Sequence, residues 1–204
     1  MLIGRSTCTR TGKAATTLLA IALTAAGTLS PARAGPLADA AKEAEDKAAA
    51  GDVIGAFDQI RDAFGVFAMS LPLTVRKAVF VSEKPKAYGA YSPRPGAVFK
   101  PGEPLITYVE LIGLAWKPLA DGLQQASFSV DFEISEAGGK VLATQKSFGA
   151  FTFTSLVRNQ EIFTHLTLDL TGAEPGEYLL KYTINDSVSK RFTSFEQPFT
   201  IGKK

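Results

Sequence analysis

Tyr88, Tyr91 and Arg94 crowd the stretch YGAYSPRPGAVFKPGEPL, and Trp116 follows in GLAWKP. These residue types anchor interfaces and stack on ligands, because each joins a large apolar area to a polar or charged tip. Tyr88, Tyr91, Arg94 and Trp116 are therefore the candidate binding residues. A catalytic set is harder to assemble. His165 is the single histidine, and a Ser-His-acid triad or a zinc cage needs several convergent partners. The sequence has no Gly-x-Ser-x-Gly elbow and no Gly-rich phosphate loop. Asp131 with Glu133, and Glu174 with Glu177, are paired carboxylates, but glycoside hydrolysis needs such a pair in a cleft about 5–10 Å apart. Asn185-Asp186 alone lacks the spaced oxygen ligands that calcium requires. The expectation is no catalytic residue, no metal and no cofactor, with an enzyme using surface carboxylates ranked third among the functional readings.

The N-terminus reads MLIGRSTCTRTGKAATTLLAIALTAAGTLSPARAG. Arg5, Arg10 and Lys13 precede an apolar run from Ala14 to about Leu29, and Ala32-Arg33-Ala34 supplies small residues at −3 and −1. That is the pattern of a secretory signal peptide, 1–34, cleaved after Ala34. The apolar run is shorter than the ~20 residues a spanning helix needs, so no membrane insertion is expected after cleavage. The expected mature chain, 35–204, has 18 basic and 20 acidic residues, because four Lys/Arg and no Asp/Glu leave with the signal. The net charge of +2 for the whole chain thus becomes about −2, and no argument for nucleic acid or an anionic surface remains. The only cysteine, Cys8, also leaves. A chain of this length buries a sizeable core without disulfides, which suits a periplasmic or secreted location.

Two patterns divide the mature chain. Residues 35–72 read as a helical hairpin. LADAAKEAEDKAAA is built from strong helix formers, Gly51 is placed to end that helix, and Asp52 is placed to cap the next. VIGAFDQIRDAFGVFAMS then puts Val53, Ala56, Phe57, Ile60, Ala63, Phe64 and Phe67 on one face, and Pro72 stops it. The simplest expectation is that Phe57, Phe64 and Phe67 dock on the rest of the protein. The alternative is a helical arm for a partner or a second subunit.

Residues 73–204 change to a period of two. QASFSVDFEIS alternates strictly, as a half-buried antiparallel strand does. Gly138-Gly139 is a hairpin turn into KVLATQKSF, and FTFTSLV, EIFTHLTLDL, EYLLKYTIND and KRFTSFEQPFTI read as further strands. Lys100-Pro-Gly-Glu103 fits a type II turn, with Gly102 at the position that needs positive φ. Pro93 and Pro95 keep residues 92–96 out of a sheet interior. Short strands without intervening helices predict an antiparallel β-sandwich.

Two resemblances follow from these residues. Gly51, Asp52, Ala56, Phe57, Ile60, Ala63 and Phe64 resemble the junction and second helix of one tetratricopeptide-type hairpin, without a second copy. LTLDLTGAEPGEYLL is similar to the E-strand, E–F turn and F-strand of an immunoglobulin-like (fibronectin III-like) domain. Leu166 and Leu168 would point inward, and Glu174, Gly176 and Tyr178 fit the tyrosine corner. Leu180 stands where antibody-type domains place a cysteine, so the resemblance is to the disulfide-free type. It implies a structural Tyr178 with its hydroxyl on the backbone and an outward His165. The chain is thus expected to be mainly β, a helical hairpin followed by an immunoglobulin-like sandwich. Its expected role is an exported protein-binding or scaffolding module whose partner is another envelope protein, homo-oligomerisation through the hairpin being open. The alternative is a small-molecule or glycan binder.

Overall fold

The structure, a computed structural model, describes residues 35–203. The expected signal peptide and Cys8 lie outside the described residues. Among the described residues the chain is mainly β with two α-helices. Helix α1 spans Pro36–Ala49 and α2 spans Val53–Ser70. Gly51 takes φ +86° between them, and the Asp52 carboxylate caps α2 by accepting from Gly55 N–H at 2.9 Å. The helices pack through small residues, Ala44 and Ala56, and Gln59 Nε2 donates to Glu43 Oε2 at 2.9 Å.

Nine strands follow: β1 Thr74–Phe80, β2 Val98–Phe99, β3 Leu105–Ile112, β4 Lys117–Pro118, β5 Gln124–Glu136, β6 Val141–Ser155, β7 Ile162–Leu168, β8 Gly176–Asp186 and β9 Phe192–Ile201. One sheet runs β1-β3-β7 and is antiparallel. The other runs β2-β9-β8-β5-β4, with β6 also on β5, and is mixed because β2 lies parallel to β9. Residues of both sheets line one core. Leu105, Val109, Leu111, Leu166 and Leu168 come from the first, and Phe128, Val130, Leu180, Tyr182, Ile184 and Phe199 from the second. Inside it, Thr107 Oγ1 on β3 donates to Gln197 Oε1 on β9 at 3.0 Å. That bond satisfies polar groups whose burial would otherwise be costly.

Two departures from the sequence reading have physical causes. KVLATQKSF and FTFTSLV are one strand, β6, bent where Ser147 adopts φ +50°. Asp131 holds this bend, accepting from Ser147 N–H at 2.8 Å and from Lys146 Nζ at 3.0 Å. The β5–β6 register shifts there, between Val130 and Phe132. β7 and β8 do not pair, because the turn between them carries the chain from one sheet to the other.

The other departure is that the α2 phenylalanines do not dock. Phe57 is 62% exposed, Phe64 49% and Phe67 40%. The hairpin instead meets the β domain through the last turns of α2, where Gly65 lies against Arg158 and Gln160 and Met69 packs on the core. At 3.6 residues per turn, those positions lie roughly 100–140° around the helix from Phe64. The joint is tied by Arg191, which donates to Leu71 O at 2.8 Å and to Gly113 O at 2.6 Å.

Candidate functional site

Strand β3 turns Ile106, Tyr108 and Glu110 to the face opposite the main core. There Ile106 and Tyr108 join Val81, with Val79, Tyr91 and Phe163 packed around them, as a second, smaller core. A β-bulge between Val75 and Lys77 lets consecutive residues Arg76 and Lys77 reach this face together. Glu110, only 2% exposed, pairs with the Arg76 guanidinium through Oε2 and accepts from the Tyr108 hydroxyl through Oε1 at 2.8 Å. The Tyr108 hydroxyl accepts in turn from Gly89 N–H at 2.8 Å. Burial above all pushes its pKa up to about 12, the Glu110 charge adding to the rise.

The candidate tyrosines lie on this cluster. Tyr91 stacks on Tyr108 with ring centroids 4.2 Å apart and accepts from Lys77 Nζ at 2.9 Å. Tyr88 is half-buried close to Glu110 and Arg76; burial first, and then the Glu110 charge, raise its pKa. Arg94 lies beyond the strand end, where its guanidinium grips Glu103 at 2.5 and 3.2 Å, donates to Val98 O at 2.7 Å and covers the Phe99 ring at 4.3 Å. Those contacts clamp the turn, where Gly102 has φ +76° and Glu103 N–H bonds Lys100 O at 3.0 Å. Trp116 is 8% exposed in the main core. The structure brings Tyr88 and Tyr91 to one cluster and places Trp116 in a different one.

Glu110 and Arg76 have no place in the sequence reading. The signal available was a glutamate in the middle of LITYVELI, an otherwise largely apolar strand. As arranged, the cluster can hold a loop, and both Glu110 oxygens are engaged in doing so.

The remaining titratable candidates stay apart. His165 faces away from the core that Leu166 and Leu168 enter; burial and the Lys84 charge hold its imidazole below the ordinary 6.5. Burial pushes the Asp131 carboxyl upward, but donation from Ser147 N–H, Lys146 and Asn185 outweighs it and leaves the group below its ordinary 3.8. Asp186 accepts from Ala115, Val188 and Ser189 N–H groups and is a structural anchor. Among the described residues no group of three His, Cys, Asp or Glu could hold a metal ion.

Two of the open surfaces are apolar enough to dock something. One is α2, where Val53 (71%), Ile54 (76%), Phe57, Ile60, Phe64 and Phe67 are exposed along one side. The other is a recess of about 380 Å³ lined by Ile134, Leu142, Leu170, Phe199, Glu136 and Glu174. No helix among the described residues is long and apolar enough to cross a membrane.

No family of known proteins matches the chain, and no curated protein matches it. Solved structures similar to it include the alkylpurine DNA glycosylase AlkC of Pseudomonas fluorescens bound to DNA containing an abasic site analog, at 12% identity and TM-score 0.36. That match covers 71% of this chain and 34% of the glycosylase. The sporulation control protein Spo0M of Bacillus subtilis is matched at 11% identity and TM-score 0.34, over 66% of this chain and 51% of Spo0M. A family 123 glycoside hydrolase of Clostridium perfringens is matched at 8% identity and TM-score 0.37, over 66% of this chain and 28% of the hydrolase. The chain therefore spans about half or less of the chains it matches, and likeness at this level assigns neither fold family nor activity.

Proposed function

We propose that the protein is an exported, non-catalytic protein-binding module of the cell envelope, with α2 as its docking face. The carrying observation is the exposed apolar side of α2, since monomeric soluble proteins rarely leave a contiguous patch of more than a few hundred Å² uncovered. The immunoglobulin-like sandwich belongs to the same reading. It is supported by two sheets lining one core, by the crossing from β7 to β8 between sheets, and by the Tyr178 hydroxyl, which donates to Glu174 O at 2.6 Å. The signal-like N-terminus supports export.

The test is crosslinking of the tagged protein in intact cells, comparing the unaltered chain with Phe57→Asp/Phe64→Asp. Crosslinked species that disappear in the variant support the reading; a crosslinking pattern indifferent to the substitutions removes α2 from it. A second reading, small-molecule binding, is favoured by the recess beside Tyr178, whose apolar walls and volume fall in the range of ligand sites. Leu142→Arg, which puts a long charged side chain on that wall from an exposed position, should abolish uptake of an apolar fluorescent probe if this reading holds.

A further inference from the structure

We propose that the occupant of the α2 face is a second copy of this chain, the two hairpins closing into an antiparallel four-helix bundle; this rests on the reading of α2 as a docking face. The exposed stripe is Val53, Phe57, Ile60, Phe64 and Phe67, whose spacings alternate four and three. Their mean of 3.5 residues is the repeat that keeps an apolar seam facing another helix along its length. Beside the ridge lies a shallow groove of about 340 Å³ between α1 and α2, floored by Ala41, Ala44, Ala48 and Ala56, with Glu45 at its rim and Phe57 and Ile60 of the ridge as one wall. One hairpin therefore carries both the large knobs and the small-residue hole that receives them. A two-fold interface requires such self-complementarity, because the same patch must serve on both sides.

Area agrees with this occupant, and charge argues against a membrane in its place. With ordinary side-chain areas, the stripe and Ile54 together expose on the order of 600 Å². With the alanine groove added, that approaches the ~800 Å² per partner of a standard interface. The hairpin carries three basic residues, Lys42, Lys47 and Arg61, against seven acidic ones. An anionic lipid surface would repel it, whereas interfacial membrane helices are rich in Lys and Arg. The stripe itself contains no charge. Geometry selects the antiparallel arrangement: α2 runs into the β domain at its C-terminal end, where Met69 packs on the core. A two-fold axis across the helix then sends the two β domains to opposite ends of a bundle about 27 Å long.

Sedimentation equilibrium of the full chain, expressed and processed in the cell, tests this at micromolar concentration. The unaltered protein should be a dimer. Phe57→Asp/Phe64→Asp on the ridge and Ala48→Glu in the groove should each raise the dissociation constant 100-fold or more, with an unchanged far-ultraviolet circular dichroism spectrum. Independently of those variants, Ile60→Cys in a Cys8→Ser background should form a disulfide-linked dimer on mild oxidation, because Ile60 lies at the centre of the stripe and hence at the two-fold. A monomeric unaltered chain overturns the inference, as does a dimer indifferent to both surface variants or an Ile60→Cys variant that does not crosslink. A monomer that still loses its crosslinks to a different protein when Phe57 and Phe64 are replaced overturns only the second-copy occupant and leaves the docking face standing.

Discussion

The Tyr108 hydroxyl donates to Glu110 Oε1 at 2.8 Å, between two residues of one strand that are both sealed from solvent. Because that hydroxyl also accepts from Gly89 N–H, it links a buried carboxylate to the loop above the sheet. Tyr108→Phe strips a partner from each. A buried group left unsatisfied costs about 1–3 kcal/mol, so urea unfolding should show a loss in that range. Proteolytic nicking should rise within residues 86–96.

The same tyrosine makes the protein sensitive to alkali. Its folded pKa of about 12 stands above the ordinary 10.0, so its contribution to stability is fully present below pH 10 and is lost as pH rises from there towards 12. Thermal midpoints measured across that window should fall, and Tyr108→Phe should flatten the fall. An unchanged slope would mean that Tyr108 ionises freely in the folded protein.

Asp131 acts at the other end of the scale. Its folded pKa is lowered, so its stabilising effect is present above the unfolded value near 3.8 and disappears as pH falls through the folded one. Asp131→Ala should therefore reduce stability at neutral pH and shrink the loss between neutral and acid conditions. Amide exchange at Ser147, whose N–H the carboxylate holds, should accelerate in the same variant.

Core and helix phenylalanines should respond oppositely. Phe128 is 1% exposed and stacks on Phe151 at 5.0 Å, so Phe128→Ala should cost about 3–5 kcal/mol. Phe57→Asp and Phe64→Asp should leave the monomer's stability within about 0.5 kcal/mol, as surface substitutions do. Denaturant unfolding of the three variants, with the hairpins dissociated by dilution, separates the two classes.

Gly113 sets the joint between hairpin and β domain. It has φ +77°, and a Cβ there would lie 2.4 Å from Pro72 O. Gly113→Ala should lower the thermal midpoint and expose residues 70–74 to protease. Arg191→Ala should reproduce the protease sensitivity by releasing Leu71 O.

Much of the local structure was legible because single residues dictate it. Asp52 caps α2, Pro72 follows its end, Gly102 takes the positive φ of its turn, and Phe128 and Val130 alternate inward with Ser127 and Ser129 outward. What escaped depends on irregularities that no periodicity encodes. A left-handed Ser147, held by a residue sixteen positions away, turned two apparent strands into one. A bulge at Arg76 delivered the partner of Glu110. The α2 stripe was read correctly as apolar, but an apolar face does not say what covers it. Tyr91 and Arg94 were recognisable as residue types that hold things; the structure shows what each grips within its own chain.

The order of pairing carries a consequence for how the chain is made. Strand β9 follows every other strand in sequence, yet it lies between β2 and β8. Until its residues leave the ribosome, β8 has an open edge and β2 has nothing to join. β5, β6 and β8 can pair earlier, but the joining of β2 to the larger sheet waits for β9, and that closing contact spans most of the β domain, a topology that folds slowly.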